Sequence, residues 1–320
     1  QAPGSSWGAA LARRHTRLAL PFMAAVLLVL LAHALTQAWL PELATKKFRS
    51  AAPGAQATQV VDGEKTPGKV AIFSTCYINY NEPGIGLDLL KILDHNDIPY
   101  TIVEKEKCCG MPKLELGDLD SVQASKEANI PVLAKYAKDG FAILAAVPSC
   151  ALMFKQEIPL MFPGDADTQL VKEHMWDPFE YLMARKRDGL LKTEFPQKLG
   201  NISYQIPCHG RVQNIGKKTE EMFKLIGQTV AVQLSTVERC SGHAGTYGVK
   251  LATHPVAMKI GKPVFKAMAK NEPDVIASDC ALAGHHITLL DVQDRPLAAL
   301  LPPEASAALL SAWGHLPLQF

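Results

Sequence analysis

The sequence predicts an α/β protein with two tandem, pseudo-repeated α/β modules, mainly parallel sheets and a helical N-terminal segment. First, short apolar runs of strand length alternate with longer segments of helical period, which is typical of parallel α/β units. Second, cysteine anchors recur along the chain at nearly one offset, as expected after an internal duplication. Third, 48% of the 320 residues are hydrophobic and 20% are charged, so the chain can bury a sizeable core.

Composition also excludes several classes of protein. The net charge is +2, whereas a nucleic-acid binder usually shows a basic stripe, so we expect no nucleic-acid partner. The apolar content is too high for a disordered chain. Seven cysteines are too few for a small disulfide-stapled scaffold, and an odd number cannot pair completely within the chain.

Residues 1–67 form the predicted N-terminal segment. An apolar run at 18–35 follows three arginines and is 18 residues long, the lower limit for spanning a bilayer. Pro21 interrupts the run, and basic residues flank it on both sides, which gives no clear orientation. A membrane anchor and a buried helix of a globular domain therefore both remain open. Residues 51–68 have the small, polar and Pro/Gly-rich composition of a linker.

The first module is predicted at 68–198 and the second at 199–290, with a C-terminal tail at 291–320. The apolar runs with strand length are residues 70–75, 100–103, 142–147, 202–206, 230–237 and 274–277. The segments with helical period are residues 86–93, 123–138 and 218–226, and a short amphipathic helix at 304–313 precedes Gly314 in the tail.

The cysteines lie in duplicated register within the two modules. They are Cys76, Cys108, Cys109, Cys150, Cys208, Cys240 and Cys280. The first two are 32 positions apart, and so are Cys208 and Cys240, at an offset of 132 between modules. Each anchor follows a predicted strand closely. Because ligands bind at the carboxyl ends of parallel strands, we expect the thiols of each module to converge there.

Metal binding explains this pattern better than two plainer interpretations. A lone free cysteine is usually a small buried hydrophobic residue, but that does not explain seven at strand ends in register. A disulfide between adjacent Cys108 and Cys109 would be strained. Four thiolates in the first module suit either zinc or an iron–sulfur cluster. In the second module Ser241 stands where a fourth thiolate is expected, and a histidine could complete the site. The histidines near these cysteines are His209, His243, His285 and His286.

Several stretches resemble one known family. They are STCYINYNEPGIG, CCGMPKLELGD, VPSCALM, PCHGRVQNIG, CSGHAGTYGVK and SDCALAGHHI. Over about residues 69–287 the chain is similar to the cysteine-rich (CCG) domain proteins. That family includes the B subunit of heterodisulfide reductase and the C subunit of anaerobic glycerol-3-phosphate dehydrogenase. The resemblance implies iron–sulfur clusters, of the 4Fe–4S type, and electron transfer between a dehydrogenase and a quinone or a disulfide.

The chain departs from the fullest family pattern in three places. Met153 and Ala283 stand where that pattern has the second cysteine of a C-x-x-C pair, and Ser241 interrupts the second C-C-G. A five-thiolate noncubane cluster is therefore not expected in either module. No cysteine precedes Cys76, so we also expect no N-terminal ferredoxin domain.

These observations predict an iron–sulfur electron-transfer subunit of an oxidoreductase complex, rather than a stand-alone enzyme. The cluster is expected in the first module, whereas the second module offers fewer thiolate ligands for a centre. Gly110 and Gly242 are expected to bring backbone N–H groups close to the cofactor. The alternatives are a cluster-based disulfide reductase and a zinc-bound structural scaffold.

The expected partners are a flavin dehydrogenase or a ferredoxin-type subunit, and a membrane quinone. Thiolates and clusters persist in reducing compartments, which favours the cytoplasm, with residues 18–35 as a candidate attachment to the cytoplasmic face of a membrane.

Overall fold

The computed structural model describes residues 41–229, 232–270 and 272–288. Within them, helices pack against two parallel sheets, one with four strands and one with three, which confirms the predicted fold class. The apolar run at 18–35 and the tail helix at 304–313 lie outside the described residues. In the part of the chain that is described, no helix has both the length and the apolar character needed to cross a membrane.

The first sheet has the strand order β2-β1-β3-β4, and all its pairs are parallel. Its strands are β1 (Val70–Phe73), β2 (Tyr100–Ile102), β3 (Ala142–Ala145) and β4 (Met175–Trp176). Every residue of β1 and β3 is buried, because helices cover both faces of the sheet. The first three strands coincide with predicted apolar runs, whereas the two-residue β4 was not predicted.

The helices of the first half connect these strands. They are α1 (Phe48–Ala51), α2 (Cys76–Tyr80), α3 (Pro83–His95), α4 (Met111–Glu115), α5 (Leu119–Lys138), α6 (Pro148–Leu152), α7 (Ile158–Met161), α8 (Ala166–His174) and α9 (Pro178–Arg187). A π-helix, Met153–Glu157, joins α6 to α7. Side-chain oxygens of Thr75, Asp118 and Asp165 accept the free N–H groups at the starts of α2, α5 and α8.

The second half repeats the arrangement of the first. Its strands are β5 (Gly200–Gln205), β6 (Val232–Val237) and β7 (Val275–Ser278), and its helices are α10 (Cys208–Arg211), α11 (Lys218–Thr229), α12 (His254–Ala269) and α13 (Ala281–Thr288). The order β6-β5-β7 matches β2-β1-β3, with the first strand of each half in the centre. This shared topology is what the duplicated cysteine register predicts, while the residue limits of the modules stay predictions.

The two halves share an apolar core. Phe179 and Leu182 of α9 lie in the same buried cluster as Met222 and Ile226 of α11, together with residues of β5. Helix α9 therefore packs on the second half although it follows the last strand of the first sheet. Burial of this cluster keeps the two sheets in a fixed relation.

Helix α3 packs against α1 through a glycine. A Cβ atom at Gly86 would lie 2.6 Å from two ring carbons of Phe48 and 2.7 Å from Cγ2 of Ile78. Phe48 and Ile78 are themselves buried. Gly84 lies in the same helix, and a Cβ atom added there would have no neighbour within 4 Å.

We predict opposite effects for alanine at these two glycines. Gly86→Ala forces Phe48 out of its site and lowers the free energy of unfolding by about 1–3 kcal/mol, as overpacking does. Gly84→Ala is the matched control and leaves stability unchanged or raises it by up to about 1 kcal/mol, because alanine favours the helix. Urea denaturation of both variants measures the difference. Equal stabilities would contradict the packing of α1 on α3.

Candidate metal centre

The four thiols of the first module all follow strands of one sheet. Cys76 begins α2, and only two residues separate it from the end of β1. Cys108 and Cys109 lie between β2 and α4, and Cys150 lies in α6 shortly after β3. Because β2, β1 and β3 are neighbours and parallel, their carboxyl ends meet at one edge of the sheet. The topology therefore brings together residues that are up to 74 positions apart in the sequence.

Interactions between these thiols run from Cys76 through Cys108 and Cys109 to Cys150. The thiol of Cys109, followed by that of Cys76 and the N–H of Gly110, lowers the pKa of Cys108 to about 2. In return, the interaction with Cys108 raises the pKa of Cys76 and of Cys109. Among these thiols, ionisation is therefore favoured at Cys108 and opposed at Cys76 and Cys109.

Burial differs across the four residues. Cys109 and Cys150 are 3% and 4% exposed, Cys108 is half-buried and Cys76 is exposed. The inner side of the group rests on the apolar core of the first sheet, which includes Cys109 and Cys150. The outer side faces solvent at Cys76, so a cofactor bound here would lie near the protein surface.

Polar side chains hold the two loops that carry Cys76 and Cys108. Asn129 of α5 is 1% exposed; its Nδ2 donates to the carbonyl of Cys108 at 3.1 Å, and its Oδ1 accepts from the N–H of Lys107 at 2.8 Å. Glu106 accepts from the N–H of Ser74 at 2.8 Å, which joins the ends of β1 and β2. Sequence analysis missed both residues. For Asn129 the sequence did offer a signal, because it is a polar residue on the buried face of the helix predicted at 123–138.

Each C-x-G loop places a glycine N–H against a sulfur atom. The N–H of Gly110 interacts with Cys108, and the N–H of Gly242 donates to Sγ of Cys240 at 3.3 Å. Both glycines have positive φ, 96° and 84°, where side chains are disfavoured. A Cβ atom at Gly242 would also lie 2.1 Å from the carbonyl oxygen of Ala257. The two loops thus repeat the same backbone contact to sulfur.

The second module also gathers its thiols at one sheet edge. Cys208 begins α10 after β5, Cys240 follows β6, and Cys280 follows β7 directly before α13. Burial, followed by the neighbouring Cys240, raises the pKa of Cys208, and burial raises the pKa of Cys280 to about 11. Cys240 is exposed, whereas Ser241 beside it is buried.

The nearby histidines are directed to different partners. His209 interacts electrostatically with Glu115 of the first module, and Nε2 of His285 lies 2.8 Å from Oε1 of Glu82. His243 and His286 face each other with ring centroids 5.8 Å apart. Burial lowers the pKa of both rings to about 4, so both are neutral at pH 7. A role of His209 or His243 as a ligand beside the thiols stays a prediction.

Two carboxyl groups that sequence analysis also missed share one cavity: Asp177, which is buried, and Asp279, which is half-buried and next to Cys280. Burial raises the pKa of Asp177 to about 6 and that of Asp279, next to Cys280, to about 7. Tyr204 Oη donates to Asp279, and Thr219 Oγ1 lies 3.0 Å from its carboxylate. These residues line a cavity of about 340 Å³ between the halves of the molecule. After β7, the sequence analysis singled out Cys280 but not the adjacent Asp279.

The two thiol sets lie next to each other across the boundary between the halves. Helix α10, which begins at Cys208, packs on α6, which carries Cys150. Gln213 Nε2 donates to the carbonyl of Pro148 at 3.2 Å. Glu115 lies against Gly245, since a Cβ atom there would be 1.9 Å from its carboxylate. The arrangement places both sets on one side of the molecule.

The donor set suits a cofactor that binds several thiolates. All seven cysteines are free thiols, and the first module offers four of them in mutual reach. Across residues 41–229, 232–270 and 272–288, no three His, Cys, Asp or Glu side chains enclose a single point closely enough to hold one metal ion. Thiolates of an iron–sulfur cluster bind different iron atoms and need not surround one point. The residues present therefore fit a cluster.

Comparison with known proteins identifies the same two regions. The model of the CCG cysteine-rich domain matches residues 70–155 and 202–288, together more than half of the chain.

Three curated relatives align with about two thirds of the chain or more. The C subunit of the anaerobic glycerol-3-phosphate dehydrogenase of Escherichia coli is 28% identical over 214 residues, 66% of this chain and 52% of the relative. The B subunit of the fumarate reductase (CoM/CoB) of Methanothermobacter marburgensis is 24% identical over 226 residues, 70% and 42% of the two chains. An uncharacterized iron-sulfur protein of Methanocaldococcus jannaschii is 25% identical over 233 residues, 72% and 43% of the two chains.

The chain spans about half the length of these relatives. The matched regions contain all seven cysteines and both C-x-G loops of the two sheets. With two copies of the domain, the chain belongs to the CCG cysteine-rich domain family.

Proposed function

We propose that this chain is an iron–sulfur electron-transfer subunit of an oxidoreductase complex. The observation that carries the proposal is the convergence of Cys76, Cys108, Cys109 and Cys150 at the carboxyl ends of three adjacent parallel strands. Four thiolates are the ligand set of a 4Fe–4S cluster, and such a cluster would supply one-electron redox chemistry at this edge of the sheet. The iron–sulfur description of one relative supports the same assignment.

The contacts among the thiols favour a cluster over a zinc scaffold. A zinc ion would hold all four sulfur atoms about 2.3 Å from one centre. Here the contacts form a sequence along Cys76, Cys108, Cys109 and Cys150, and its two ends lie in helices that follow different strands. Such a spread set suits separate iron atoms, each with its own thiolate.

Groups around Cys108 would tune the redox potential. The Gly110 N–H and the Lys113 ammonium both stabilise negative charge at this sulfur. Because reduction adds negative charge to a cluster, donors aimed at its sulfur ligands raise the reduction potential. The exposed Cys76 side gives a redox partner a short approach to this centre.

The thiols of the second module form the second part of the proposal. Cys208, Cys240 and Cys280 would bind a second centre that exchanges electrons with the first. Support comes from the packing of α10 on α6. Helix α10 begins at Cys208, and α6 carries Cys150. Three thiolates make this centre the more weakly held of the two.

We further propose a dehydrogenase, with a flavin or ferredoxin-type subunit, as the electron donor and a quinone or a disulfide as the acceptor. The names of two relatives, one a subunit of a glycerol-3-phosphate dehydrogenase and the other a subunit of a fumarate reductase, support a multi-subunit setting. Free thiols at both sites favour the reducing cytoplasm, with attachment to the cytoplasmic face of a membrane through 18–35 as part of the same proposal.

Replacement of one buried thiol should remove the first centre. In Cys109→Ser, we expect the loss of most visible absorbance and of the matching iron and sulfide of the anaerobically purified chain, because a serine hydroxyl is a poor cluster ligand. Ser125→Ala is the matched control, since Ser125 lies beside Gly110 and its Oγ donates to a backbone carbonyl. Iron and sulfide contents equal to those of the wild-type chain in Cys109→Ser would refute the ligand set. Stoichiometric zinc without iron in the wild-type chain would refute the cluster.

A backbone change should shift the reduction potential. Both Gly110→Ala and Gly117→Ala place a side chain at positive φ, so each should lose about 1–2 kcal/mol of stability. Of these two glycines, only Gly110 has an N–H that interacts with a thiol sulfur, and the strain of the substitution moves this N–H away from Cys108. We therefore expect a lower midpoint potential in Gly110→Ala alone, measured by redox titration of the cluster signal. Identical potentials in both variants would show that this N–H does not act on the cofactor.

A further inference from the structure

Three histidines form a buried cluster in the second half of the molecule, which we call the histidine cluster. His286 of α13 is fully buried, and its ring lies 5.8 Å from that of His243 and 5.9 Å from that of His254. Phe265 stacks on the other side of His286 at 5.9 Å. The three histidines come from the loop after Cys240, the start of α12 and the last described helix.

The environment of His286 is unlike that of an ordinary core histidine. Among the residues that the structure describes, neither buried ring nitrogen of His286 has a hydrogen-bond partner. A buried polar atom with no partner costs free energy, so such atoms normally have a ligand, a water molecule or a neighbouring group. Nδ1 of His254 lies 2.6 Å from the carbonyl oxygen of Gly248. Since a carbonyl only accepts, Nδ1 carries the proton and the lone pair of His254 is on Nε2.

This pattern is the one that metal-binding histidines show. A histidine ligand usually donates its second ring N–H to a carbonyl or carboxylate, which fixes the ring and its tautomer. His254 has that contact, and His286 offers two buried nitrogens that have no partner among the described residues. Neutral imidazoles bind zinc, copper, iron and nickel, and they are poor ligands for calcium or magnesium.

We propose that His243, His254 and His286 bind one divalent transition-metal ion of the zinc type, at a site separate from both thiol sets. The inference goes beyond the proposed electron transfer and does not depend on it. The bound ion would join the loop after Cys240 to α12 and α13, and so connect three separate elements of the second module.

The geometry requires a small closure of the rings. Three imidazoles bound to one zinc ion, with Zn–N distances near 2.0–2.1 Å, have ring centroids about 5 Å apart. The two separations at His286, 5.8 and 5.9 Å, are slightly wider, in keeping with the finding that no three ligand groups in the described residues enclose one point. His254 is only half-buried at the start of α12, so its ring is packed less tightly than that of His286. Gly248 leaves room, because a Cβ atom there would lie 3.0 Å from the ring of His286.

Metal analysis of the full chain tests the proposal. The anaerobically purified protein is treated with EDTA, supplied with equimolar Zn²⁺ and desalted, and zinc, iron and sulfide are counted per chain. We expect about one zinc ion in the wild-type chain and its loss in His286→Phe and in His254→Phe, with iron and sulfide unchanged. The phenylalanine at 286 keeps the stacking on Phe265 while it removes both nitrogens.

His174→Phe is the matched control. His174 is half-buried, and its Nδ1 bonds to a backbone carbonyl at 2.9 Å, as that of His254 does, but it lies at the end of α8 away from the cluster. This variant should keep the zinc ion. Zn²⁺ should also raise the Tm of the wild-type and His174→Phe chains by several degrees, with no shift in His286→Phe.

Two results would overturn the proposal. One is zinc content and a Zn²⁺-dependent Tm shift that are the same in wild-type, His286→Phe and His254→Phe chains, or absent from all of them. The other comes from Co²⁺ in place of Zn²⁺: a thiolate-to-cobalt charge-transfer band that disappears in Cys280→Ser would assign the ion to the thiols. Failure of the proposed electron-transfer function would instead appear as missing iron in the wild-type chain, whatever the histidine variants bind.

Discussion

Four neighbouring thiols cannot all ionise without a compensating positive charge, and the first module is arranged around that constraint. Cys108 is stabilised as a thiolate by the neighbouring thiols and by the N–H of Gly110. Burial and the like charge oppose ionisation of Cys109, so its proton is retained until a cation takes the proton's place. A cluster with positively charged iron removes this opposition. The fold therefore creates an electrostatic demand that its cofactor meets.

The same constraint explains why the supporting residues lie where they do. Asn129 holds the loop before Cys109 through two backbone contacts, and Glu106 ties the end of β1 to the loop after β2. Neither side chain brings positive charge to the sulfur atoms. They fix the positions of Cys76 and Cys108 instead, so that the sulfur atoms remain close even though they repel one another when ionised. In the second module only three thiols impose this demand, and Ser241 takes the fourth position as a buried, uncharged residue.

Much of the fold was predictable because the strand positions and the spacing of the cysteines can be read directly from the sequence. All six predicted apolar runs overlap strands, and the duplicated spacing corresponds to two sheets with the same order around a central strand. The two residues of β4 were missed because so short a strand carries no periodic signal of its own. Asn129 and Asp177 were missed for a different reason: Asn129 bonds to a loop that is distant in the sequence, and burial in the folded protein raises the pKa of Asp177. The histidine cluster was only partly foreseen, since His254 contacts His286 through the folding of α12 over the sheet.

The boundary between the halves joins these observations into one arrangement. Duplication alone would leave two similar sites on two independent sheets, but α9 crosses into the core of the second half and α10 packs on α6. Contacts that have no counterpart within a single module, Gln213 with Pro148 and His285 with Glu82, span the same boundary. They fix the sites relative to each other through backbone and side-chain bonds close to the cysteines. In the proposed function, this boundary would hold the two centres at a constant separation, on which electron exchange between them depends.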